Sequence, residues 1–185
     1  LWVVGVFSAA FAQFVNDDIL PPAPSWSQKS KALMVSPEDP WATVFETSGG
    51  TDSPAYDDTV AWLSKLTAAS PDLAMVTIGT SLEGREIVMV VASRSGGFLP
   101  SDLQHSGKPT FLAHCGIHSG EIDGKDAGMM LLRDLTLAKK SDLLDQVNFL
   151  FIPVLSVDGH ERASAYNRIN QRGPKTMGWR TNGRN

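Results

Sequence analysis

Residues 147–155 read Val-Asn-Phe-Leu-Phe-Ile-Pro-Val-Leu, and they decide the fold class of this 185-residue chain. The stretch is apolar almost throughout, which is typical of a central strand that a sheet buries on both faces. Three further strands are predicted upstream, over residues 73–78, 86–93 and 110–115. A short Gly-containing turn separates the first two, so we expect these two strands to form a hairpin.

Two helices are predicted among these strands. The first begins at Asp57-Asp58, ends before Ser70-Pro71 and has an apolar stripe formed by Val60, Leu63, Leu66 and Thr67. The second covers residues 121–138, with a predicted inward face of Ala127, Met130, Leu131 and Leu135. Because strands and helices alternate, the sequence predicts an α/β fold, an α/β/α sandwich with a mixed central sheet.

The first 55 residues differ in composition from the rest of the chain. Residues 1–12 are apolar or small and end in Ala10-Phe11-Ala12, which is the pattern read by signal peptidase. This predicts the remnant of a signal peptide and a secreted or periplasmic protein; a buried strand or helix is the alternative. Residues 13–55 are rich in proline and are predicted to form an irregular lead, followed by one domain over residues 56–185.

Charge and cysteine content exclude several classes of protein. The chain has 16 basic and 20 acidic side chains, a net charge of −4, and no basic run, which argues against a nucleic-acid binder. No apolar stretch reaches about 18 residues, so we expect no stable membrane insertion once the leader is removed. The single cysteine, Cys115, excludes a disulfide within the chain and a metal site of the CxxC type.

Candidate metal ligands follow the strand predicted over residues 110–115. His118 and Glu121 are three residues apart, a spacing that brings their side chains to one face of a turn or helix. An imidazole and a carboxylate held in this way can bind one Zn²⁺ ion. The same spacing also fits a glutamate placed by a helix dipole beside an unrelated histidine. His114 is interpreted as packed or supporting, and His105 and His160 as surface residues.

Two more polar groups occur near the predicted ends of strands. Asp158-Gly159 directly follows the apolar strand, and this is either an active-site position or an ordinary turn. The loop from residue 167 to residue 185 contains several arginines and asparagines, which can hold a carboxylate or stabilise an oxyanion. Arg172 and Arg184 in this loop are interpreted as solvated.

Taken in order, these motifs resemble the metallocarboxypeptidase family of the carboxypeptidase A type (M14-like peptidases). The resemblance rests on Ile78-Gly79-Thr80-Ser81-Leu82-Glu83-Gly84-Arg85, on Gly116-Ile117-His118-Ser119-Gly120-Glu121, on Asp158-Gly159 and on Trp179-Arg180. It covers roughly residues 56–185, and four motifs in the same order are far more specific than any one alone.

The resemblance implies a zinc peptidase that hydrolyses peptide bonds and releases C-terminal residues. His118 and Glu121 are then the first two Zn²⁺ ligands, and Arg180 polarises the scissile carbonyl and contacts the substrate. Asp158 is the candidate for a carboxylate that supports a ligand histidine. Digestive members have an arginine where Gly120 stands here, so one substrate contact is missing.

The family's third ligand and its catalytic glutamate lie further downstream, so the chain is expected to be the N-terminal part of a longer enzyme that is inactive alone. Peptides or peptidoglycan stem peptides are the expected substrates. Two alternatives stay open, a cell-wall peptide amidase of the same family and a non-catalytic domain that binds zinc or a carbohydrate ligand.

Overall fold

Four strands form one mixed sheet in the computed structural model of the chain, which describes residues 29–138, 140, 142–169, 171 and 173–181. The strands are β1 (Leu73–Thr80), β2 (Glu86–Ala92), β3 (Thr110–His114) and β4 (Asn148–Ile152). Their order in the sheet is β1-β2-β4-β3. The pairs β1–β2 and β2–β4 are antiparallel, and β3–β4 is parallel. The predicted α/β class with a mixed sheet is therefore confirmed.

The strand predicted from the apolar stretch lies between β2 and β3, and it is the strand buried most completely. Phe149, Phe151 and Ile152 are buried, and Asn148 is buried too because its side chain has polar partners. Its amide donates to the hydroxyl of Ser106 (3.0 Å), and its carbonyl oxygen accepts from Ser93 (2.8 Å). A polar residue at the start of a buried strand is tolerated because its hydrogen bonds are satisfied.

Six α-helices and one 3₁₀ helix (Lys29–Leu33) occur in the described ranges. The α-helices are α1 (Val44–Thr47), α2 (Tyr56–Ala69), α3 (Pro100–His105), α4 (Asp123–Thr136), α5 (Leu143–Gln146) and α6 (Val157–Glu161). The two long helices, α2 and α4, are those predicted from the sequence. Helix α3 is not among the helices predicted from the sequence; Pro100 at its first helical position favours a helix start there.

Helices α2 and α4 pack on the sheet through one shared core. Leu63 and Leu66 of α2 are fully buried, as predicted. The inward face predicted for α4 is confirmed only in part: Leu135 is buried and Met130 half-buried, but Leu131 is 40% exposed and Ala127 is exposed as well. The face that packs in the core carries Met129, Leu132 and Leu135. The rest of the prediction failed because α4 also buries three charged side chains, Lys125, Asp126 and Arg133, which a count of apolar residues assigns to solvent.

The described part of the predicted lead, residues 29–55, is joined to the domain by a buried ion pair. The carboxylate of Glu46 on α1 lies 2.7 Å from the guanidinium of Arg133 on α4. The same carboxylate accepts hydrogen bonds from the backbone N–H groups of Val35 (2.9 Å) and Thr43 (2.8 Å). Burial raises the pKa of Glu46, but these donors outweigh it and hold the pKa below its usual value. The predicted leader, residues 1–12, lies outside the described residues.

None of the helices in the described ranges combines the length and the apolar character that crossing a bilayer requires.

We predict that Glu46→Ala lowers the free energy of unfolding by about 3–5 kcal/mol, because it leaves the buried charge of Arg133 without its main partner. Denaturant unfolding of the wild type and the variant measures the difference. Glu38→Ala is the matched control, since Glu38 is an exposed glutamate in the same segment and its loss is expected to change the free energy of unfolding little. Equal stabilities of the two variants would contradict the prediction.

Candidate zinc site

The candidate site forms where the parallel strands β3 and β4 end side by side. Their pairing continues past both strands, since the N–H of Leu155 donates to the carbonyl of Cys115 and the N–H of Ser156 donates to that of Gly116, each at 3.0 Å. The loop after β3 carries the candidate ligands, and the turn after β4 carries Asp158. The carboxyl ends of adjacent parallel strands are a common place for active sites in α/β sheets, because both loops leave on the same side.

Gly116 allows the first loop to turn away from the sheet. Its φ is +56°, a left-handed conformation that side chains other than glycine rarely adopt. A Cβ at this position would also lie 2.9 Å from the Cα of Val154. The glycine therefore lets the loop bend sharply while β3 and β4 stay paired, and beyond the bend the side chains of His118 and Glu121 are open to solvent.

His118 and Glu121 are brought together as the spacing predicted. Nδ1 of His118 lies 3.1 Å from Oε2 of Glu121, and the two side chains are 44% and 50% exposed. The N–H of Glu121 also donates to the carbonyl of His118 at 2.8 Å, which closes a tight turn between them. This turn, rather than a helix, sets the geometry, because α4 begins only at Asp123.

This donor pair fits a zinc ion. Two atoms bound to one Zn²⁺ at about 2.0–2.1 Å in tetrahedral geometry are about 3.3 Å apart, close to the spacing between His118 and Glu121. An imidazole nitrogen and a carboxylate oxygen are both ordinary zinc ligands, and both are open to solvent here. Within the described ranges, no group of three or more His, Cys, Asp or Glu side chains could hold a metal ion. The pair therefore supplies two ligands of a site that needs more.

Arg168 is a site residue that the sequence analysis missed. Its NH1 donates to Oε1 of Glu121 at 3.2 Å, so the carboxylate lies between an imidazole on one oxygen and a guanidinium on the other. Partial burial tends to raise the pKa of Glu121, but the hydrogen bonds from His118 and Arg168 hold the pKa below its usual value. Glu121 is therefore ionised near neutral pH, as a metal ligand must be.

Asp158 has its hydrogen-bond partners in the β1–β2 hairpin turn and not in the loop that carries His118 and Glu121. Its buried carboxylate accepts hydrogen bonds from the hydroxyl of Ser81 (2.7 Å), the N–H of Glu83 (3.2 Å) and the guanidinium of Arg85 (2.7 Å). Burial raises the pKa of Asp158, but these three donors keep the pKa below its usual value. The carboxylate of Asp158 therefore joins the β1–β2 turn to the segment that follows β4.

Arg180 lies in a loop that returns to the site. The N–H of the preceding Trp179 donates to the carbonyl of Gly159 at 2.7 Å, which holds the loop against the turn that carries Asp158. The side chain of Arg180 is exposed and makes no hydrogen bond or ion pair with the part of the chain that the structure describes. Arg180 is thus held near Asp158 through the backbone, and its guanidinium does not contact His118 or Glu121.

His160 is buried, so its assignment to the surface is wrong. Its Nε2 lies 3.0 Å from Nζ of the fully buried Lys125, and its Nδ1 lies 2.8 Å from the carboxylate of Glu161. Burial lowers the pKa of Lys125 to about 8 and also lowers the pKa of His160. No local sequence pattern indicates this network, because its members come from separate helices, α4 and α6. His105 is exposed, as expected, and His114 is exposed rather than packed.

Comparison with known proteins identifies the family. The family model described as zinc carboxypeptidase (peptidase M14) matches residues 59–185, which is more than half of the chain. The chain therefore belongs to the M14 zinc carboxypeptidase family. This confirms the resemblance drawn from the four ordered motifs.

Curated relatives agree with this assignment, and a solved structure has a similar fold. The chain is 28% identical over 115 residues to carboxypeptidase B of Canis lupus familiaris, covering 59% of this chain and 26% of the relative. It is 29% identical over 108 residues to carboxypeptidase B of Astacus astacus, covering 57% and 33%. The crystal structure of carboxypeptidase A from Helicoverpa armigera has a similar fold, with a TM-score of 0.51 and 22% identity over 70% of this chain and 28% of that one. The chain thus spans about a quarter to a third of the length of these relatives.

We predict that Asp158→Asn lowers the free energy of unfolding at pH 7 by on the order of 2 kcal/mol, since an amide cannot accept all three hydrogen bonds of the buried carboxylate. Because folding lowers the pKa of Asp158, its contribution is present above the unfolded pKa of about 3.9 and is lost as the pH falls through the folded value.

The stability difference between wild type and Asp158→Asn should therefore shrink as the pH is lowered below about 4. Denaturant unfolding between pH 7 and pH 3 measures it. Glu86→Gln, an exposed carboxylate at the start of β2, is the control and should change little at any pH. A difference that stays constant over this range would contradict the account of Asp158.

Proposed function

We propose that the protein hydrolyses peptide bonds with a zinc-activated water and releases C-terminal residues from peptides. The observation that carries this proposal is the contact of 3.1 Å between His118 and Glu121 at the paired ends of β3 and β4. Membership of the zinc carboxypeptidase family supports the same chemistry. The curated relatives are carboxypeptidases B, and their name suggests the class of substrate but not the side chain preferred here.

The residues of this chain have distinct roles in the proposed reaction. His118 and Glu121 hold the Zn²⁺ ion, which when bound lowers the pKa of its water and makes a hydroxide available near neutral pH. Arg180, exposed and without a partner among the described residues, is free to donate to the scissile carbonyl and stabilise the oxyanion that develops. Asp158 acts at a distance, because it holds the hairpin turn against the turn that the Arg180 loop contacts.

Two components of the reaction are proposed to come from beyond residue 185. A catalytic zinc site has three protein ligands and one open position, and His118 and Glu121 supply only two of the three. The third ligand and the general base are therefore proposed to belong to a longer protein. The small share of the relatives' length that this chain spans is consistent with this reading.

In the complete protein, His118→Ala and Glu121→Ala should each remove bound zinc and abolish peptide hydrolysis, because each deletes a ligand. Arg180→Ala should keep the zinc and lower kcat by about 10²–10³-fold, the usual loss when one oxyanion donor is removed. Zinc content by atomic spectroscopy and release of C-terminal residues from short peptides are the two measurements.

His105→Ala is the matched control, since His105 is exposed and lies outside the site, and it should retain both zinc and activity. Normal zinc content in His118→Ala would remove the ligand assignment. Loss of zinc in Arg180→Ala would instead show that Arg180 has a structural role.

A further inference from the structure

Arg168 is a buried arginine whose position the proposed reaction does not explain. Only 8% of the residue is exposed, although it lies in a polar loop. Its NH1 donates to Oε1 of Glu121 (3.2 Å) and to Oε1 of Gln171 (2.7 Å). Its Nε and NH2 have no hydrogen-bond partner among the described residues. Burying a guanidinium with few partners is unfavourable, so retaining one here needs a compensating reason.

Gly120 makes the space that Arg168 occupies. A Cβ at position 120 would lie 2.3 Å from Nε of Arg168 and 2.7 Å from its Cδ, and also 2.7 Å from the backbone carbonyl oxygen of Gly178, so a larger residue would displace the arginine and press on the Gly178 backbone. Gly120 lies inside the ligand motif, directly before Glu121. The loop that carries His118 and Glu121 therefore has no side chain at the position that the guanidinium of Arg168 occupies. A change at position 120 affects the space available to Arg168.

The contact between Arg168 and Glu121 leaves the other carboxylate oxygen free for a metal. Oε1 accepts from Arg168, while Oε2 faces Nδ1 of His118 at 3.1 Å. A carboxylate that is half exposed otherwise rotates among several orientations, and ordering it costs entropy when a metal binds. An anchor on one oxygen reduces that cost and directs the second oxygen toward the imidazole.

We propose that Arg168 is a positioning residue for the metal ligand Glu121, and that Gly120 is required because it gives Arg168 room. The proposal rests on the zinc site put forward above. Groups that hydrogen-bond to metal ligands typically contribute about 10–100-fold to metal affinity. The positive charge of Arg168 by itself opposes a nearby cation, so orientation and charge predict opposite effects of removing it.

The test is zinc affinity in the complete protein, measured by competition with a chromophoric chelator. Arg168→Met removes the hydrogen bond and the charge, and it should weaken zinc binding by about 10–100-fold. Arg168→Lys keeps a donor and the charge and should recover part of the affinity. The visible spectrum of the Co²⁺-substituted protein should change in Arg168→Met, because the geometry of the carboxylate ligand changes. Arg162→Met is the control, since Arg162 is an exposed arginine that pairs with Glu83.

Gly120→Ala is a second variant that tests the contact between Arg168 and Glu121, and it keeps the arginine in the sequence. It should also weaken zinc binding, and its effect should be smaller when combined with Arg168→Met, because both changes remove the contact of Arg168 with Glu121 while the clash with the carbonyl of Gly178 remains. If thermal unfolding shows that Arg168→Met is poorly folded, Arg168→Lys replaces it in the double variant. The effect of Gly120→Ala on zinc affinity is then compared in the wild type and in Arg168→Lys.

The outcomes separate this inference from the proposed function. If His118→Ala still binds zinc as the wild type does, the zinc site itself is wrong. If His118→Ala loses zinc while Arg168→Met binds it with unchanged or higher affinity and an unchanged cobalt spectrum, only the role of Arg168 is overturned. Weaker binding in Arg168→Met with additive effects in the double variant would overturn the link to Gly120.

Discussion

The parallel pairing of β3 with β4 is the constraint on which the rest of the site depends. Backbone hydrogen bonds continue this pairing beyond the ends of both strands, as far as Gly116 and Ser156. As a result, the loop that carries His118 and Glu121 and the turn that carries Asp158 leave the sheet side by side. A shift in this register would separate the two loops, since each follows its strand directly.

Buried charged groups then attach the surrounding segments to this frame. Asp158 joins the hairpin turn to the turn after β4, and Glu46 joins the N-terminal segment to Arg133 on α4. Arg168 joins its own loop to the loop that carries His118 and Glu121, through a hydrogen bond to Glu121. Each carboxylate meets a guanidinium and additional donors, and for Glu46 and Asp158, which are buried, these partners offset the cost of burying a charge. Polar contacts therefore connect the loops around the site.

Much of this arrangement follows from sequence patterns with a physical period. The apolar run at residues 147–155 indicated the buried strand, and the stripe containing Leu63 and Leu66 indicated helix α2, because both patterns reflect burial on one element. The inward face of α4 was predicted only in part, because an apolar pattern does not show which charged side chains are buried. Its buried surface includes Lys125 and Arg133, and their partners lie on segments distant in the chain.

The sequence by itself determined the α/β class, the family and the proximity of the His118 and Glu121 side chains, because strand and helix periods, ordered motifs and a spacing of three residues are all local properties. Only the tertiary structure decided the partners of Asp158, the burial of His160 and the position of Arg168 over Gly120. These depend on contacts between residues far apart in the chain, and no local pattern records whether a charged side chain will find a partner when the chain folds.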